Sequence, residues 1–151
     1  MGLCFTPSPV HRSANLSKHF TTANMKRCIN IDWLQLYCTS ETWFTLPRLL
    51  SQAGYMVKLR GAGTRHFRQL YDVYTADNTP YLEIQADPYS LKHEGGIFEL
   101  GAMLIKLCNK FCYEENCVNK LAELLRFVNV QIKSISRLDL ACACQYFDND
   151  L

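Results

Sequence analysis

Hydrophobic and polar positions alternate with a period of two through much of this chain. The longest example is Gln131 to Phe147, QIKSISRLDLACACQYF. As a strand it sets Ile135, Arg137, Asp139, Ala141 and Ala143 on one face and Ser136, Leu138, Leu140, Cys142 and Cys144 on the other. The second face is apolar enough to lie on a helix. The first carries Arg137 and Asp139, and burying charge is costly unless it is paired or used. The pattern therefore predicts a central strand in which Arg137 and Asp139 need partners.

The same reading places the other elements. CINIDWLQLYC, residues 28–38, is a strand rich in β-branched and aromatic residues, with Asp32 its one charge. If it neighbours the last strand, Arg137 is expected to pair with Asp32, with Asp139, or with both in a structural ion pair. A short helix is predicted from Leu46, with Thr45 as N-cap, Pro47 in the first turn and Gly54 as its stop. Tyr55 to Arg60, Phe67 to Thr75 and Tyr81 to Gln85 read as strands separated by Gly61-Ala62-Gly63 and by Ala76-Asp77-Asn78-Thr79-Pro80. Ala102 to Cys108 reads as another.

Glu114 to Val128 is the clearest helix, with Cys117, Val118, Leu121, Leu124, Leu125 and Val128 on one stripe. Glu114 and Glu115 suit its positive end and Arg126 its negative end. It is expected to cover Leu138 and Leu140. Residues 1–24 show no period and read as a loose arm before Met25, leaving residues 25–151 as the folded domain. The fold class expected is α+β: an antiparallel, meander-rich sheet of about five to six strands with helices.

Composition bounds the function. At 151 residues, 48% apolar and 20% charged, the chain suits one domain with a real core. A net charge of +2 is too small to argue for nucleic acid by itself. No window approaches the roughly 18 apolar residues of a membrane span, and the start lacks the apolar region of a secretory signal. The expectation is a cytoplasmic protein with no membrane partner. Eight cysteines without an export signal then read as core thiols, and the absence of any C-x-x-C spacing argues for no zinc. His11, His19, His66 and His93 read as solvated surface residues.

Local charge changes this picture. From Thr42 to Tyr71 there is no acid, while Arg48, Lys58, Arg60, Arg65 and Arg68 are basic and Tyr55, Phe67 and Tyr71 lie among them. Cations that neutralise phosphates, beside rings that stack bases, make a nucleic-acid groove. Lys58, Arg60, Arg65 and Arg68 are therefore candidate DNA-binding residues, against the alternative of an ordinary solvated hairpin.

Four segments in order, CINIDWLQLYC, RGAGTRHFRQLYDVY, MLIKLCNKFCY and SISRLDLACACQYFDNDL, together resemble the replication initiation factor family. These are the rolling-circle Rep proteins of plasmids, phages and conjugative elements, including the trans-acting plasmid type. The resemblance runs from about Arg27 to the end. It implies a metal-dependent DNA nickase whose Tyr becomes linked to a 5′ phosphate, on a curved antiparallel sheet with helices on one face. Asp139 in Arg137-Leu138-Asp139 matches the family's acidic position and is the candidate ligand for Mg²⁺ or Mn²⁺. The second acid expected four residues later is replaced by Ala143, and a hard cation wants several oxygen ligands. The nucleophilic Tyr belongs to a part of the family beyond residue 151, so no catalytic residue is assigned here. The resemblance thus implies the N-terminal, DNA-binding part of such an initiator. Its expected partners are DNA and either a separately encoded C-terminal portion or a second copy. The rival is a non-enzymatic DNA-binding regulator or protein-interaction module on the same fold.

Overall fold

The computed structural model describes residues 2–5 and 25–146. Seven strands form one antiparallel sheet: β1 (Gly2–Phe5), β2 (Met25–Thr39), β3 (Met56–Leu59), β4 (Phe67–Tyr74), β5 (Pro80–Pro88), β6 (Ala102–Leu107) and β7 (Gln131–Tyr146). The helices are α1 (Leu46–Gln52), α2 (Asn109–Cys112) and α3 (Cys117–Phe127). The strands lie in the order β7-β2-β6-β5-β4-β3. β1 takes the β6 side of β2, opposite Arg27–Asn30, where β6 does not reach. The class is α+β, as the alternating pattern predicts.

Strand β6 holds the centre, and its run AMLIKL is almost wholly buried. Ile105 lies opposite Leu36 of β2 and Ile84 of β5; Leu107 lies opposite Leu34 and Leu82. These rows form one face of the sheet. Leu46 and Leu50 of α1 and Leu121, Leu124 and Leu125 of α3 close over it in a single core. Burying each such side chain stabilises by about 1.5–3 kcal/mol. The opposite face carries the alternate residues, with no helix packed on it among the described residues.

Helix α1 has the expected form, with Thr45 as N-cap residue and Pro47 in its first turn. Helix α3 begins later than the apolar stripe suggests. Asn116, at φ 57°, is its N-cap residue, so Glu114 and Glu115 precede the helix instead of forming its first turn. Val118 is exposed and the rest of the predicted stripe is buried.

The last strand is not central. β7 pairs only with β2 among the described residues, and it forms an edge of the sheet. Nor, among the described residues, does a helix cover its apolar side. Ile132, Ile135, Leu138 and Leu140 remain 41%, 58%, 44% and 59% exposed, although they lie opposite Cys38, Leu36, Leu34 and Ile31. The physical reason is that the interior position next to β2 belongs to β6, whose side chains are nearly all apolar. Lys133, Arg137 and Asp139 keep their solvation on an edge, where charged residues are ordinarily placed.

The arm also differs from expectation at its start. Gly2–Phe5 is a strand in register with β2. The rest of the predicted loose arm, residues 6–24, lies outside the described residues.

Candidate nucleic-acid interface

The antiparallel register sets a row of polar residues across the helix-free face. Lys58 lies opposite Asp72, Asp72 opposite Glu83, Glu83 opposite Lys106, Lys106 opposite Gln35, and Gln35 opposite Arg137. Two clusters sit on this row, one towards the β3 edge and one towards β7.

The first cluster holds the predicted basic residues. Arg60 donates to Asp72 at 2.5 and 3.0 Å, and Glu83 lies 3.5 Å away. The bonded Asp72 carboxylate raises the Arg60 guanidinium above its ordinary value. Arg68 pairs with Asp87 at 3.3 Å and lies 4.9 Å from the centre of the Tyr89 ring. Lys58 stands 4.8 Å from the centre of the Tyr74 ring. Arg65 is exposed in the β3–β4 connection. Among the described residues, no carboxylate forms an ion pair with Lys58 or Arg65. The structure thus gathers the four residues at one side of the sheet but leaves two of them with carboxylate partners. The acid-free window ends at Tyr71, one residue before Asp72, and β5 supplies Glu83 and Asp87 from the neighbouring strand.

The second cluster centres on Trp33. The Lys106 ammonium lies 3.6 Å from its ring centre and the Arg137 guanidinium 4.2 Å. Both are cation–π distances, worth about 0.5–1 kcal/mol each at exposed sites. The indole Nε1 is buried and has no hydrogen-bond partner among the described residues. Arg137 grips Asp139 with Nε at 3.2 Å and Nη2 at 2.6 Å. This fork holds the Asp139 carboxyl below its ordinary range. Among the described residues Lys106 has no carboxylate partner in an ion pair. Neither Trp33 nor Lys106 stands out in the sequence. The one local signal is Lys106 itself, a lone cation inside the apolar run MLIKL.

Asp32 goes elsewhere. It occupies an irregularity in the β2–β7 pairing, between Ile31 and Trp33. There it accepts a 2.5 Å hydrogen bond from the Tyr113 hydroxyl, which raises the Tyr113 pKa. Of the expected ion pair, the structure joins Arg137 to Asp139 and sets Asp32 apart. The pair is also exposed, at 53% and 41% for the two side chains, where burial was expected.

The donor set around Asp139 does not fit a divalent cation. Both carboxylate oxygens are taken by Arg137. Among the described residues no three His, Cys, Asp or Glu side chains come together as metal ligands would. Nor, among them, is any helix long and apolar enough to cross a membrane. Comparison with known proteins finds no matching family model, no matching curated protein and no matching solved structure.

Proposed function

We propose that this chain binds DNA on the helix-free face of its sheet, as the DNA-binding part of a cytoplasmic rolling-circle replication initiator from a plasmid, phage or conjugative element. One observation carries the reading. On that face Lys58 and Lys106 are without carboxylate partners among the described residues, and each stands over an aromatic ring. Cations of this kind neutralise phosphates, and a ring whose cation moves onto a phosphate gains a face on which a base can stack. An antiparallel sheet with helices on one side only also agrees with the fold that the family resemblance implies.

A second reading, a DNA-binding regulator without nuclease activity, is favoured by Asp139. Its two oxygens each accept a hydrogen bond from Arg137. Incubation with supercoiled plasmid and Mn²⁺ bears on the choice: a nick would exclude the regulator, and the absence of one agrees with either DNA-binding reading.

The binding itself is tested by fluorescence anisotropy on labelled single-stranded and duplex oligonucleotides across a salt titration. In Lys58→Ala/Lys106→Ala each lost phosphate contact should lower the log–log salt slope by about 0.9 on duplex or about 0.7 on single strands. Arg60→Ala should change it less, since Asp72 already neutralises that charge. An unchanged slope in the double variant would remove the basis of the proposal.

A further inference from the structure

Strand β7 leaves one edge of the sheet unpaired among the described residues. Such an edge presents N–H and C=O groups that another strand can take up. Bulges often protect edges, and the β2–β7 pairing has irregularities at Gln35/Leu36 and at Tyr37/Cys38, near Ser136 and Lys133. From Arg137 to Cys142, β7 itself runs regularly; the irregularity there falls on β2, at Asp32. This regular stretch also carries Leu138 and Leu140, both exposed.

The charges on this stretch discriminate between registers of self-pairing. In an antiparallel symmetric pair, residues on the same face meet only if the two-fold axis passes through a residue position. An axis at Arg137 would set Arg137 opposite itself. An axis at Asp139 would set Asp139 opposite itself. Like charges directly opposed across strands are destabilising. An axis at Leu138 sets each Arg137 opposite Asp139 of the second copy, twice by symmetry. It also sets Leu138 opposite its own counterpart, with Leu140 on the diagonal. Charge and apolar pairing therefore favour the same register.

We propose that β7 pairs with β7 of a second copy about a two-fold axis at Leu138. The dimer has one continuous sheet, and both helix-free faces look the same way. The proposal rests on the edge and its charges, independently of DNA binding.

Sedimentation equilibrium with charge-reversal variants tests it. The wild type should dimerise. Arg137→Asp and Asp139→Arg should each weaken the dimer about tenfold or more, because each change turns two attractive pairs repulsive. The double variant Arg137→Asp/Asp139→Arg restores both pairs and should recover dimerisation. Circular dichroism melts of each variant separate loss of association from loss of fold. In a Cys142→Ser background, Leu138→Cys should cross-link to itself, while Lys133→Cys should not. A wild type that stays monomeric, a dimer indifferent to both reversals, or no recovery in the double variant would overturn the proposal.

Discussion

Gly101 fixes the register on which the Trp33 cluster depends, and its replacement by Ala should be costly in a way that can be dissected. The residue sits at φ 74°, in the left-handed region. Its carbonyl accepts the Ser40 N–H at 3.0 Å, joining the entry of β6 to the exit of β2. A Cβ built there would stand 2.1 Å from the Ser40 carbonyl oxygen and 2.8 Å from its carbon. Both are backbone atoms, so relief requires moving one strand against the other. Gly54 is the control: φ 95°, with nothing within 4 Å of its added Cβ. Gly54→Ala should cost only the conformational part, about 1–2 kcal/mol. Gly101→Ala adds a steric part of about 1–3 kcal/mol, for roughly 2–5 kcal/mol in all. Urea unfolding followed by tryptophan fluorescence measures both, with an unchanged m-value required for the comparison. If the two variants lose equal stability, the backbone contact is not what holds β2 to β6, and the placement of Lys106 beside Trp33 needs another cause.

Three further outcomes follow. At concentrations where the protein is monomeric, Asp139→Asn should leave the melting temperature nearly unchanged, since the Arg137–Asp139 pair is exposed and such pairs contribute little; a rise in melting temperature with Mn²⁺ that this variant abolishes would instead place a metal at Asp139. Because Arg137 depresses the Asp139 carboxyl, the small stabilisation from this pair is present above the unfolded carboxylate pKa and is lost as pH falls through the lower folded value; an Asp139→Asn variant should therefore have a flatter acid-unfolding profile than the wild type. Ile105→Val should cost about 0.5–1.5 kcal/mol and Ile105→Ala about 2–5 kcal/mol, and equal costs would mean that the core collapses around the smaller side chain.

Much of the fold is legible in the sequence because periodicity is a local property. Alternation predicts the strand cores of β3, β4 and β7, β-branched, aromatic and apolar runs between turn residues predict those of β2, β5 and β6, and Thr45, Pro47 and Gly54 bracket α1. Neighbours are a different matter, since nothing in a strand's own residues states which strand lies beside it. The charges of β7 mark a solvated edge, and reading them as buried misplaced that strand. The same limit applies to the site. Asp72, Glu83 and Asp87 reach the basic cluster across strands, beyond the acid-free window. Trp33, Lys106 and Arg137 belong to three different strands and meet only through pairing. The stretch Glu114 to Asn116 misled for a local reason: Asn116 takes a left-handed conformation and delays the helix.

The position of β2 also bears on how the chain reaches this fold. β3 to β6 can zip up through hairpins and one longer loop, by closing contacts near in sequence. β2 comes before all of them, yet it lies between β6 and β7. Gln35 and Ser136, hydrogen-bonded across the β2–β7 pair, are 101 residues apart. Closing contacts at such separation is entropically expensive and slow. During synthesis the Leu34–Thr39 part of β2 therefore waits with both backbone edges exposed until β6 has emerged, and its β7 edge stays open until nearly all the described chain is out. Its apolar residues Leu34, Leu36 and Cys38 are meanwhile open to wrong partners. Slow, late protection of the β2 amides on its β7 side in pulse-labelled hydrogen exchange is the kinetic outcome expected of this topology.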